Sequence, residues 1–126
     1  MSGICGWFGF GEAEPSNSVL LQRTSAPVRA HFAERSEEWA GASAALACVG
    51  GAASTLFYRG PDFCLALNGA PALRGGEHKT ATPAKAIGDL LMAQGAAALA
   101  QIGGAFALCL IDIARGRVLL AVDRNA

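Results

Sequence analysis

The residue after the initiator methionine gives this chain its most direct route to chemistry. If Met1 is removed, Ser2 becomes the terminal residue, and its hydroxyl then lies beside a free α-amine. An α-amine titrates near pH ~8, so a useful fraction is neutral at cellular pH and can accept a proton. One residue then supplies both nucleophile and base, an arrangement suited to amide hydrolysis. Many proteins begin Met-Ser without any catalytic role, so the start alone leaves both interpretations open.

Two short motifs further along the chain can also be interpreted either as structural or as functional. Asn68-Gly69 follows an apolar run and is a strong turn signal. Arg59-Gly60-Pro61-Asp62 also has turn chemistry, which predicts a bend leading into the next strand. The alternative for Arg59 is a substrate-binding role, in which its guanidinium binds a carboxylate through two hydrogen bonds.

The cysteines do not form a metal-binding pattern. The four thiols are widely spaced, at Cys5, Cys48, Cys64 and Cys109. The last three lie in apolar runs, where cysteine behaves as a small buried hydrophobe. We therefore expect no metal site and, in a reducing compartment, no disulfide. Cys5 is the thiol to follow, because it lies close to the terminus.

The composition predicts one domain with an apolar surface. Of the 126 residues, 52% are hydrophobic and only 16% are charged, whereas charged residues average about 25% in globular chains. Such an excess predicts an apolar face that packs on a partner or on a missing domain. A net charge of zero without any basic block argues against nucleic-acid binding. The absence of a long uncharged apolar run and of a basic leader predicts a cytoplasmic protein that neither crosses nor binds a membrane.

The elements that must position these residues are mostly strands. Pro27 breaks an ambiguous segment at residues 18–29, and residues 30–38 are polar enough for a helical turn. Thr82-Pro83 is a good start for a helix that runs to about residue 94, followed by a short helix at 96–101. The last two strands form a hairpin and are apolar enough to be buried on both faces. We predict an α+β fold of antiparallel strands covered by helices, with strands at residues 4–10, 44–49, 56–58, 63–67, 105–113 and 117–122.

Three segments, in this order, resemble one family. Residues 1–9 (Met-Ser-Gly-Ile-Cys-Gly-Trp-Phe-Gly) resemble the start of class II glutamine amidotransferase domains, and residues 65–69 resemble their strand ending in Asn-Gly. Residues 102–124 resemble the hairpin of asparagine-synthetase-like proteins and are the most specific of the three. The resemblance covers residues 1–126 as one domain, which we expect to be incomplete. It implies an N-terminal-nucleophile (Ntn) hydrolase fold, an αββα sandwich of two antiparallel sheets between helices.

The resemblance also implies a function. Members of the family hydrolyse glutamine or a related amide at this domain and pass ammonia to an ATP-dependent synthetase domain, which amidates an adenylated aspartate. By this resemblance Ser2 occupies the position of the nucleophilic cysteine, and Asn68 and Gly69 form the oxyanion hole. Arg59 begins a motif with the family's letters, although it lies later in the chain than expected. ATP and Mg would belong to the synthetase domain, in cis or in trans, so we expect no cofactor in this chain.

The departures from the family leave three functions open. Ser2 replaces cysteine, Ala70-Pro71 replaces an acidic and an aromatic residue, and the usual acid is missing around residues 81–85. These losses weaken recognition of glutamine's ammonium group, because a charged group would be left unpaired. The chain is then a working glutaminase, or a catalytically degenerate Ntn-like domain that packs on a synthetase forming a β-lactam or macrolactam without ammonia. The third possibility is an unrelated α+β binding domain.

Overall fold

The computed structural model describes residues 3–9, 17–31, 35–74 and 83–123. In this part of the chain strands outnumber helices, as expected from the sequence. In chain order the elements are β1 (Gly3–Phe8), α1 (Asn17–His31), β2 (Arg35–Ala40), β3 (Ala44–Gly50), β4 (Thr55–Arg59), β5 (Phe63–Gly69), β6 (Ala72–Leu73), α2 (Pro83–Gln94), a 3-10 helix (Gly95–Gln101), β7 (Ile102–Gly103), β8 (Phe106–Asp112) and β9 (Arg117–Val122).

The strands form two main sheets. Sheet A has the order β1-β3-β2, and sheet B has the order β4-β5-β8-β9, with a small β6-β7 pair beside them. Every pairing among the described strands is antiparallel. The central strand of sheet A, β3, is buried along its whole length, and so are β5 and β8 of sheet B except at single positions.

The two sheets pack face to face through small side chains. Leu46 and Cys48 of β3 meet Ala66 of β5 and Ile111 of β8 in one buried cluster. On the opposite face of sheet A, Leu21 of α1 packs against alanines of β3. The described elements therefore stack as helix, sheet, sheet and helix, which confirms the predicted α+β class with antiparallel sheets.

The second helix covers the outer face of sheet B. Ile87 and Leu91 of α2 are buried against Leu65 and Leu67 of β5. Each such side chain, when fully buried, contributes about 1.5–3 kcal/mol. The helix ends at Gln94, directly before Gly95, whose φ of +66° lies in the left-handed region that glycine adopts without strain. None of the described helices combines the length and apolar character needed to cross a lipid bilayer.

Two predictions for the segment between β1 and β3 were wrong. Pro27 does not break residues 18–29, because it lies inside α1. A helical proline costs about 3 kcal/mol, and here Leu21 and Ser25 are fully buried, so tertiary packing compensates. Within residues 30–38, α1 ends at His31 and Arg35–Ala40 forms β2 instead of a helical turn. Pairing with β3 satisfies the backbone of this polar segment.

Two strand predictions also need correction. Asn68 and Gly69 are not a turn but the last two residues of β5, where they pair with Ala107 and Phe106. The hairpin strands differ from each other, because β9 is an edge strand and is not buried on both faces. Leu120 is 72% exposed and Val122 is 69% exposed.

The packing of α2 on β5 predicts an unusual effect of a glycine substitution. Alanine is the better helix former by about 1 kcal/mol, yet a Cβ on Gly88 would collide with the ring of Phe63. We expect Gly88→Ala to lower the free energy of unfolding by about 1–3 kcal/mol, as overpacking does. Urea denaturation measures it.

The matched control is the same substitution in a Phe63→Leu background. If the ring causes the loss, Gly88→Ala will be neutral or stabilising there, and the two substitutions will couple in a double-mutant cycle. An equal loss in both backgrounds would contradict the explanation.

Candidate active site

A cleft of about 420 Å³ opens where β1 begins and β5 ends. Gly3 and Ile4 of β1 line it, together with Asn68 and Gly69 of β5. The remaining lining residues are Ser54, Ala105, Phe106 and Ala107. Ser2 lies outside the described residues, but it is bonded directly to Gly3. The fold thus brings the beginning of the chain to the Asn-Gly pair, although 64 positions separate Ile4 from Asn68.

The side chain of Asn68 is held by two donors. It is only 8% exposed, and its Oδ1 accepts a hydrogen bond from Thr55 Oγ1 at 3.3 Å and from Cys48 Sγ at 3.3 Å. Both bonds end on the oxygen, so the amide cannot flip without losing them. Asn68 also lines the cleft, and because its oxygen is engaged, Nδ2 is the group of this amide that is available as a donor. A fixed N–H donor in a sheltered position is what stabilisation of a developing oxyanion requires.

The donors themselves are suited to this task. Thr55 is fully buried and lies opposite Asn68 on the neighbouring strand β4. Burial raises the pKa of Cys48 to about 12, so its thiol keeps its proton near neutral pH. Cys48 is therefore a donor to Asn68 and not a nucleophile.

The backbone conformation at position 69 requires glycine. Its φ is +119°, and a Cβ at this position would collide with the carbonyl oxygen of Ala105. Only glycine fits here without strain. Its N–H donates to the carbonyl oxygen of Ser54 at 2.8 Å, so an oxyanion at Gly69 would have to replace that bond.

Arg59 lies away from the cleft. It ends β4 opposite Cys64, whereas Thr55 begins β4 opposite Asn68, and four residues of strand span ~13 Å. Arg59 Nη1 donates to the carbonyl oxygen of Glu38 at 2.9 Å, and Nη2 is 3.3 Å from Glu37 Oε2. Arg59 therefore joins sheet B to β2 of sheet A. It does not lie beside Asn68.

The other thiols show no sign of activation. Cys64 and Cys109 are buried, which raises their pKa values to about 12 and about 11. Burial also raises the pKa of Cys5, more than nearby Arg29 lowers it. All four cysteines are free. No group of His, Cys, Asp or Glu within the described ranges is arranged to hold a metal ion.

Sequence reasoning missed the two residues that hold Asn68. Cys48 was expected only as a buried hydrophobe and Thr55 was not singled out. Their role depends on β3 lying across from β5 and on β4 lying beside it, and no local pattern records that placement. The one available signal was a hydrogen-bonding residue, Thr55, directly before the strand predicted at residues 56–58.

Comparison with known proteins adds no family. No family model matches this chain, and no curated protein matches it. The sandwich of antiparallel sheets and the cleft with its fixed amide donor therefore carry the functional argument.

The hydrogen bond from Thr55 can be tested through stability. Thr55→Val keeps the shape but removes the hydroxyl donor, which leaves Asn68 Oδ1 with the weaker thiol donor alone. We expect the free energy of unfolding to fall by about 1 kcal/mol. Thr55→Ser retains the hydroxyl and is the comparison that isolates the hydrogen bond. If valine is no more destabilising than serine, the hydroxyl does not hold the amide. Denaturant titration of both variants decides this.

Proposed function

We propose that this chain is an Ntn-hydrolase-type glutamine amidotransferase domain of an asparagine-synthetase-like, ATP-dependent amide-forming enzyme. The observation that supports it best is the cleft, where Gly3, the neighbour of Ser2, meets Asn68 and Gly69. A terminal nucleophile and an oxyanion donor must converge on one carbonyl for amide hydrolysis. Antiparallel sheets stacked between helices agree with the fold that this function implies.

The proposed reaction begins with Ser2 after removal of Met1. The free α-amine accepts the hydroxyl proton while Ser2 Oγ attacks the side-chain amide carbon of glutamine. Negative charge then develops on the amide oxygen, and Asn68 Nδ2 donates a hydrogen bond to it. One such donor is worth about 2.7–4 kcal/mol when it is aimed at the oxyanion.

Ammonia leaves when the tetrahedral intermediate collapses. The protonated α-amine returns its proton to the departing nitrogen, and the C–N bond breaks to leave a glutamyl ester on Ser2. Water, activated by the same amine, hydrolyses the ester to glutamate and restores the hydroxyl. Ammonia passes to a synthetase domain, in cis or in trans, and ATP and Mg belong to that domain. A cytoplasmic location agrees with the free cysteines.

A catalytically degenerate domain is the second candidate, and specific observations favour it. The Gly69 N–H is engaged with Ser54, and the described residues that line the cleft carry no charge for glutamine's ammonium or carboxylate. The exposed apolar Leu120 and Val122 would suit a domain that packs on a synthetase. Such a domain would support formation of a β-lactam or macrolactam amide without releasing ammonia.

Ammonia release from glutamine separates the two candidates. We expect the chain lacking Met1 to release ammonia, with a rate that increases as the pH rises through about 8 and the α-amine loses its proton. Ser2→Ala should abolish release because it removes the nucleophile. Asn68→Ala should lower kcat about 10²–10³-fold because it removes the oxyanion donor. A coupled glutamate assay measures all three.

The controls address processing and folding. Mass spectrometry establishes whether Met1 is absent, and circular dichroism establishes that the variants are folded. Ser2→Cys should retain or increase activity, since a thiol is the stronger nucleophile near neutral pH. No ammonia from processed wild type and from Ser2→Cys alike would favour the degenerate domain. Activity unchanged in Ser2→Ala would exclude Ser2 as the nucleophile.

A further inference from the structure

The exposed edge of sheet B is the strongest feature that glutamine hydrolysis does not use. Among the described strands, β9 pairs only with β8. Its side chains Leu120 and Val122 are by far the most exposed large hydrophobics of the described residues. Exposed apolar edge strands are rare in monomers because they invite pairing with another strand.

The backbone of this edge is ready for pairing. The N–H of Asp123 donates to the carbonyl oxygen of Phe106 on β8 at 2.9 Å. Hydrogen-bonding direction alternates along an antiparallel strand, so Val118, Leu120 and Val122 direct their N–H and C=O groups away from β8. None of the usual edge protections, a lysine, a proline or an inward charge, occurs from Val118 to Val122.

An apolar groove lies beside the edge. Its volume is about 390 Å³, and it runs between β9 and β1, the edge strand of sheet A on the same side of the sandwich. Val118 and Leu120 line it from β9, and Ile4 and Phe8 line it from β1. Phe8 is 38% exposed. The apolar surface therefore continues from one sheet edge to the other.

The charges at the ends of the strand indicate what binds there. Arg117 begins β9, and Asp123 follows its last residue. When a strand pairs antiparallel with a copy of itself about Leu120, residue 117 of each copy lies opposite residue 123 of the other. Opposite charges then face each other at both ends, and Val118 faces Val122. Opposite-charge and apolar cross-strand pairs both stabilise a sheet.

We propose that a second copy of this chain binds at β9, in antiparallel register about a two-fold axis at Leu120. Sheet B of one copy continues into sheet B of the other through about six main-chain hydrogen bonds. The interface is isologous and closed, so it yields a dimer rather than a filament. The second copy covers Leu120 and Val122, and the two grooves meet across the axis. This proposal does not depend on glutamine hydrolysis.

Sedimentation velocity over a range of concentrations tests the proposal. We expect reversible formation of a dimer by the wild-type chain. Leu120→Asp places two like charges together at the axis and should raise the dissociation constant by at least about tenfold. Val19→Asp is the matched control, because Val19 is an exposed apolar residue of α1 and its substitution should leave the dimer intact.

The register has its own test. Arg117→Asp should weaken the dimer by about fivefold, since it creates like charges at two symmetry-related positions. Adding Asp123→Arg should restore the affinity. Hydrogen exchange of the wild type should show protection that increases with concentration at the amides of Val118, Leu120 and Val122, a readout that does not depend on any variant folding.

Several results would overturn the proposal. A monomer at every concentration would do so, and the occupant of the edge would then be a strand other than a second copy of β9. A dimer that Leu120→Asp leaves intact, or one without protection of the three outward amides, would place the interface elsewhere. Assemblies that grow beyond two copies would contradict the closed two-fold arrangement.

Discussion

The close approach of β3 and β5 across the sheet interface is the contact on which the rest of the site depends. Small side chains, cysteine and alanine, face each other there, so the strands come near enough for Cys48 Sγ to reach Asn68 Oδ1. Larger residues would hold the sheets apart and leave the amide without its thiol donor. The same stacking places the beginning of β1 beside the end of β5, and both strands line the cleft. The packing of β3 on β5 therefore determines both the core and the geometry of the cleft.

A buried amide is tolerated at this position only because its oxygen is satisfied. An unpaired polar group in such a place would cost about 1–3 kcal/mol, whereas Thr55 and Cys48 both donate to Asn68. The two donors commit the amide oxygen to the core, while Asn68 also lines the cleft. Gly69 contributes in a different way, since its left-handed φ lets β5 pass close to Ala105. These features agree with an oxyanion site, while the engaged Gly69 N–H and the uncharged lining agree with a domain that has lost hydrolysis.

The two edges of the sandwich differ in chemistry. On one side, Arg59 links β4 to Glu37 and Glu38 of β2, so charged groups cover the edge. On the other side, β9 and β1 present apolar residues beside a groove. The sequence indicated an apolar excess without locating it, because the apolar runs of β8 and β9 are similar although only β8 is buried. Only the strand order shows that β8 lies inside sheet B and β9 at its edge.

Local patterns were sufficient for elements whose signals are local. The Pro83 start and Gly95 end of α2, and the hairpin of β8 and β9, follow from caps, turns and apolar runs, and the structure confirms them. Patterns of this kind were wrong where tertiary contacts oppose them: packing keeps Pro27 within α1, and pairing with β8 keeps Asn68-Gly69 extended. The sequence pointed to Asn68 and Gly69 as site residues, whereas only the folded chain shows that Thr55 and Cys48 hold the amide and that Arg59 lies elsewhere. The physical reason is that these contacts join strands far apart in the chain, and their geometry arises from the stacking of the two sheets.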